Sequence, residues 1–193
     1  SALNFAGVLD DKTAIDLVRE RGMAMSAAAE GISCKMSAVL NLDRETLAQC
    51  CKKAEDKGIV QIANYNCPGQ IVIAGEVEAV EMAEKLAMDA GARRCMPLAV
   101  SGPFHTKFME PAGQVLEKKF TEVEFKEPQC KVIFNAVGRE KKEDETIQEL
   151  LVKQVSGSVY FEDTIAEMEK MGVDTVIEVG PGKALSGFVR KTV

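Results

Sequence analysis

Between residues 36 and 98 the spacing of apolar side chains switches back and forth between a period of two and a period of 3.6, and that alternation restricts the folds open to the chain more than any single residue does. Residues 36–40 form an apolar run of strand length, and 43–57 carry a helical pattern. Residues 59–64 and 70–74 read as two strands joined across Tyr65-Asn66-Cys67-Pro68-Gly69, 76–90 as a helix, and 92–98 as a strand. This β-α-β-β-α-β order is the split βαβ, or ferredoxin-like, unit. At about sixty residues it is compatible with independent folding. Residues 35–98 are therefore expected to form a small domain inserted in a larger one built from 1–34 and 99–193.

The flanking segments continue the alternation. Residues 11–29 space Ile15, Val18, Gly22 and Met25 at three to four, Leu17 widens the stripe, and Asp10 or Asp11 can cap the start. Beyond His105 the patterns predict a helix through 109–120, a strand at 131–135, a charged turn at 138–145, a helix ending near Gln154, another over 161–171, and a strand at 174–179.

A net charge of -6 and a pI near 5.0 oppose a broad phosphate-binding surface, and no Lys/Arg runs interleave with aromatics. No nucleic-acid partner is expected. No apolar stretch approaches the roughly 20 residues that cross a bilayer, and the first residues lack the pattern of a signal peptide. The expectation is a cytoplasmic protein with no membrane contact. Six cysteines, Cys34, Cys50, Cys51, Cys67, Cys95 and Cys130, include no C-x-x-C pair, and a single histidine cannot complete the usual ligand sets, so no metal is expected. Their scatter suggests reduced thiols, mostly buried. A nucleophilic cysteine paired with His105 stays open, although none stands in an obvious strand-to-helix turn.

That histidine is the first candidate for chemistry. It closes an apolar run, residues 95–105, that stops in a Gly-Pro turn, and such a turn delivers the imidazole to a loop, where a rigid scaffold presents reactive groups. The alternative is a surface or packed histidine with no role. A second turn, 178–187, runs strand, glycine turn, helix. It is neither G-x-G-x-x-G with a downstream acid nor a Walker loop, so it reads as a tight structural turn, and a dinucleotide-dependent oxidoreductase lacks its fingerprint.

Ile62-Ala63-Asn64-Tyr65-Asn66-Cys67-Pro68-Gly69-Gln70-Ile71-Val72-Ile73-Ala74-Gly75, Val100-Ser101-Gly102-Pro103-Phe104-His105 and Glu178-Val179-Gly180-Pro181-Gly182-Lys183 occur in this order along the chain. Together they resemble the malonyl-CoA:acyl carrier protein transacylases and their cousins in polyketide synthases. The resemblance implies an α/β fold, a partial α/β-hydrolase-like large domain carrying an inserted ferredoxin-like small domain. It implies an acyltransferase whose G-H-S-x-G serine attacks the malonyl thioester and passes the malonyl group to the phosphopantetheine thiol of acyl carrier protein. Malonyl-CoA and acyl carrier protein are the partners it implies, with no cofactor.

Ser1-Ala2-Leu3 resembles the segment that follows G-H-S-x-G-E-x. The nucleophile and a G-Q-G-S-Q strand that builds the oxyanion hole are thus expected upstream of this chain, and Ser1, Ser101 and Ser186 are not candidates for it. A truncated, noncatalytic module binding coenzyme A or carrier protein is the rival expectation.

Residue by residue, the resemblance makes His105 the general base and Gln154 the residue whose backbone carbonyl accepts the other imidazole N–H. It makes Arg21 the holder of the malonyl carboxylate. Arg19 and Arg21 lie equally far from the apolar stripe, so only the resemblance separates them. Phe104 would narrow the acyl pocket. Asn64, Asn66, Gln70 and Arg94 would line the interdomain cleft and touch coenzyme A, with Arg94 near phosphate.

Overall fold

A computed structural model describes residues 1–193. In chain order the elements are α1 (Ala2–Phe5), α2 (Asp11–Ala29), β1 (Cys34–Leu40), α3 (Arg44–Ala54), β2 (Val60–Cys67), β3 (Gln70–Glu76), α4 (Val77–Asp89), β4 (Arg94–Leu98), α5 (Glu110–Phe120), β5 (Ile133–Phe134), β6 (Arg139–Glu140), α6 (Ile147–Ser156), β7 (Val159–Tyr160), α7 (Phe161–Lys170) and α8 (Ala184–Thr192). Three helices start where the side chain of the residue just before the helix takes up a free first-turn amide. Asp10, not Asp11, caps α2 by accepting from Thr13 N at 3.0 Å. Asp43 does the same for α3 from Thr46 N at 2.9 Å. Thr146 and Glu149 form a reciprocal capping box at the start of α6.

Five strands form one sheet in the order β4-β1-β3-β2-β7, with every pair antiparallel except β2 and β7, which run parallel. Alternation divides the central strands between two faces. On one face Val39, Ile71 and Ile73 pack against α3 and α4 through Leu47, Cys50, Cys51 and Val80. The other face carries Met36, Ala38, Ala63, Val72 and Ala74, met by Phe104 alone among the partly buried apolar residues. The short side chains on this second face leave room for a cleft.

A separate core joins α2, α5 and α6 through Leu17, Met25, Leu116, Phe120, Leu150 and Val155. Here the apolar stripe expected on α2 needs correction. Ile15 and Val18 are 69% and 61% exposed and Gly22 is exposed, whereas Leu17, Met25 and Ala29 are buried. Spacing weighs both flanks of a helix equally; the position of α5 decides which flank is covered.

Three further expectations change. β2 continues to Cys67, so the link to β3 shrinks to Pro68-Gly69 and Asn66 stands on a strand, with register shifts between Ile62/Asn64 and Tyr65/Cys67. The strand expected at 131–135 is only Ile133–Phe134, and its partner Arg139–Glu140 arises inside the stretch expected to be a charged turn. Residues 174–179 form no strand, and Ile177 and Val179 are 80% and 92% exposed. A strand needs a neighbour to receive its ladder hydrogen bonds, and this segment is part of neither sheet.

Gly75 marks the tightest approach of backbone in the sheet. It sits opposite Val60, and a Cβ there would collide with the Ile59 carbonyl oxygen, which already accepts from Glu76 N at 2.8 Å. Gly187, inside α8, has open space around it. Gly75→Ala should therefore destabilise the protein by about 1–3 kcal/mol or more, while Gly187→Ala should be neutral or stabilise by up to about 1 kcal/mol. Urea unfolding of the two variants checks the contrast.

Candidate active site

The loop after β4 is built to hold one side chain. A Cβ at Gly102 would lie 2.8 Å from the Ala29 side chain, so the loop backbone presses directly on α2. Thr106 is fully buried and its hydroxyl donates to Pro103 O at 2.5 Å, closing the turn. Lys107 N donates to Gln61 Oε1 at 2.8 Å, tying the loop to β2. Within this frame His105 adopts φ 61°, a left-handed conformation that costs a non-glycine residue about 1–2 kcal/mol and persists only where the surroundings enforce it.

His105 Nδ1 lies 3.0 Å from the backbone oxygen of Gln154. The end of α6 explains why that oxygen is free. Gly157 N returns to Lys153 O at 2.8 Å, and the carbonyls of a helix's last turn have no further amide within the helix. A carbonyl only accepts, so Nδ1 carries the proton and Nε2 keeps its lone pair. The negative end of the helix dipole favours an imidazolium at this spot. A backbone carbonyl so placed can fix the tautomer of the ring, as the aspartate of a serine-protease triad does, without that group's charge.

Arg21 lies on the half-buried side of α2. The structure separates it from Arg19, which is exposed and pairs with Glu20 at 3.3 Å. Among the partly buried arginines, Arg44 and Arg139 each grip carboxylates, whereas Arg21 has none. Burial pushes its pKa down. A partly desolvated guanidinium in this state is able to pair with an anion.

Arg21 and His105 share an open cleft of about 570 Å³ between α2 and the small-residue face of the sheet, with Asn64, Asn66 and Phe104 on its walls. Gln70 and Arg94 do not line it. Both pair in register with Leu40, in a row across the end of the sheet beyond Val72, and Arg94 is exposed. Sequence patterns did not single out Met36, Val72 or Ser26, which also line the cleft, nor Thr106. Strand alternation could have pointed to the first two once the β1–β3 register was known. Ser26 is not hydrogen-bonded to His105.

Other candidate chemistry is absent from this cleft. Burial raises the pKa of Cys34, Cys50, Cys67 and Cys95 and pushes Cys51 up to about 12, the opposite of an activated thiol. All six cysteines are free; Cys50, Cys51 and Cys67 are buried and Cys130 is exposed. No group of three His, Cys, Asp or Glu side chains gathers to hold a metal. At the glycine turn, Glu178 accepts from Leu185 N at 3.1 Å, Ser186 N at 2.9 Å and Ser186 Oγ at 2.5 Å. The chain's own carboxylate fills the N-terminus of α8 and leaves no phosphate cradle.

Burial lowers the His105 pKa, with the Arg21 charge acting the same way and the Gln154 and Gly157 backbone opposing both. The imidazole is therefore neutral at pH 7. As the protein's one histidine, it gives an unambiguous NMR titration, expected to fall below the ordinary value of about 6.5. Removing the cation in Arg21→Ala should move that midpoint up. A wild-type midpoint above 6.5 would contradict the placement of the ring.

The acyl transferase domain family matches residues 1–193. The chain is 43% identical over 192 residues to the malonyl CoA-acyl carrier protein transacylase of Bacillus subtilis, covering 99% of this chain and 61% of that protein. It superposes with TM-score 0.95 on the corresponding transacylase of Clostridium perfringens, at 42% identity, covering 100% of this chain and 60% of that one. A malonyl-transacylase solved in complex with its type II PKS acyl-carrier protein gives TM-score 0.94 at 39% identity, covering 100% of this chain and 62% of that one. The chain spans about 60% of the length of these relatives. With the match running from Ser1 to Val193, the chain belongs to the acyl transferase domain family.

Proposed function

We propose that the protein transfers a malonyl group from malonyl-CoA to the phosphopantetheine thiol of acyl carrier protein, with this chain supplying the base and the carboxylate-binding side of the site. The observation that carries the reading is the His105 Nδ1 contact with the Gln154 carbonyl at 3.0 Å, facing a cleft whose wall holds the unpaired Arg21. The names of the relatives support the substrates.

The chemistry runs in two balanced halves. His105 Nε2 takes the proton from a serine hydroxyl as the oxygen attacks the malonyl thioester carbon. The tetrahedral intermediate collapses, the C–S bond breaks, and the imidazolium returns its proton to the departing coenzyme A thiolate. In the second half the carrier thiol gives its proton to His105 and attacks the malonyl ester, and the serine oxygen leaves with that proton. Arg21 holds the free malonyl carboxylate throughout with two parallel N–H bonds. Phe104 narrows the acyl end of the cleft. Asn64 and Asn66 meet the coenzyme A moiety, while Gln70 and Arg94 serve its outer part, Arg94 toward phosphate.

The acyl-carrying serine is assigned to protein outside these 193 residues. No serine is hydrogen-bonded to His105, and the relatives are longer than this chain. Residues 35–98 are assigned to a ferredoxin-like domain inserted in an α/β-hydrolase-like one. The antiparallel order β4-β1-β3-β2 and the separate apolar core under α3 and α4 support this.

His105→Ala in the complete transacylase should lower the transfer rate by about two to four orders of magnitude; near-normal turnover would remove the base assignment. Arg21→Ala should abolish malonyl transfer while retaining or raising acetyl transfer, because acetyl offers no carboxylate. Equal losses with both donors would make Arg21 structural. With the acetyl donor, kcat/KM should fall only as pH drops through a value below about 6.5, and Arg21→Ala should shift that acid limb upward. The 193-residue chain alone, mixed with malonyl-CoA, should form no malonyl-protein by intact mass spectrometry. An adduct on any serine between Ser1 and Val193 would instead place the nucleophile inside it.

A further inference from the structure

Two aromatic rings and three charged side chains meet where the sheet joins the segment that follows α6. Tyr65 on β2 and Tyr160 on β7 are register partners, and their rings stack with centroids 5.1 Å apart and planes 16° from parallel. Arg44, the first residue of α3, lays its guanidinium 4.5 Å from the Tyr65 ring centroid. The same guanidinium reaches Asp163 with both prongs, Nη1 to Oδ1 at 3.0 Å and Nη2 to Oδ2 at 2.9 Å. Its Nη2 also lies 3.0 Å from Glu162 Oε2. Close by, Ser158 Oγ donates to Ile62 O at 2.6 Å.

Apart from the Arg44–Tyr65 contact, which ties α3 to β2, each of these contacts joins the sheet and its helix α3 to the segment 158–163. Tyr65 sits between Asn64 and Asn66, the two asparagines on the cleft wall, and Tyr160 follows closely on Gln154, which orients His105. We infer that Arg44, clamped between the Tyr65 ring and the Glu162 and Asp163 carboxylates, is a positioning residue that sets the two asparagines at their working distance from His105 and so tunes binding of the coenzyme A thioester. The inference rests on the transacylase reading for the identity of the ligand. The clasp itself rests on the contacts alone.

The chemistry suits orientation rather than bulk stability. The Arg44 side chain is 38% exposed, and exposed ion pairs contribute little to folding. A guanidinium held at once by a hydrogen bond to Asp163, by ion pairs to both carboxylates and by a ring face fixes direction in a way that a lysine cannot copy. Burial works against the charge of Arg44, yet its carboxylate hydrogen bonds prevail and hold its pKa above the ordinary value, so the guanidinium stays charged.

The test uses the complete transacylase and two independent readouts. Hydrogen exchange of Arg44→Ala should show faster amide exchange confined to β2 and β7. The dissociation constant for coenzyme A and the KM for malonyl-CoA should rise by about tenfold with kcat retained, less than the hundredfold that an ångström of misplacement can cost. Arg44→Lys should resemble Arg44→Ala, and Tyr160→Ala, approached from the other side of the stack, should reproduce both effects without adding to those of Arg44→Ala. Unchanged exchange in β2 and β7 would overturn the clasp. Faster exchange there with unchanged coenzyme A affinity would overturn the positioning role, as would a uniform rise in exchange across all helices. A wild-type protein that binds no coenzyme A would overturn the transacylase reading, and the exchange result would still decide the clasp.

Discussion

A helix must leave the carbonyls of its last turn without amide partners, and at the end of α6 one of them, on Gln154, is given to an imidazole. Much of the candidate site depends on that gift. It fixes the tautomer of His105, leaves Nε2 with its lone pair, and places the ring at the negative end of a helix dipole. His105 meets this carbonyl from left-handed backbone, and the loop around it is held by Thr106 on Pro103 O, by the contact of Gly102 with Ala29, and by Lys107 N on Gln61. An ordinary loop would relax; this one is held on three sides.

Charge is distributed by the same logic of partners filled and partners left open. Arg44 and Arg139 are saturated by carboxylates, and Glu178 saturates the start of α8. Arg21 alone among the half-buried arginines is left without a carboxylate, and it faces the cleft that His105 lines. A cation so placed serves two ends at once. It offers a free carboxylate a bidentate partner, and by opposing a second positive charge nearby it helps keep the imidazole neutral.

The sheet contributes the opposite wall through a division of labour between its faces. Large apolar residues, with Cys50 and Cys51, pack between the sheet and α3 and α4, while alanines and Val72 on the other side leave a shallow floor beneath the asparagines. β7 binds that sheet to the helical segment carrying Gln154, so the acceptor for His105 and the asparagine wall belong to one hydrogen-bonded framework.

The sequence by itself determined the local elements and the chemistry-bearing turn. Period and capping residues placed α2, α3, α4 and β1 to within a few residues, and the Gly-Pro break announced a histidine on a loop. Tertiary structure decided everything that depends on a neighbour. Which arginine of α2 is buried, whether Ile15 and Val18 are core, and where β2 ends were all undetermined, because periodicity describes a helix or strand alone while burial is set by what packs against it. The stretch 174–179 has the composition of a strand and is not one here, since a strand exists only as part of a ladder. The partnership of His105 with Gln154 is the same case at atomic scale: a backbone carbonyl carries no mark in the sequence, and only the fold brings it within reach of the imidazole.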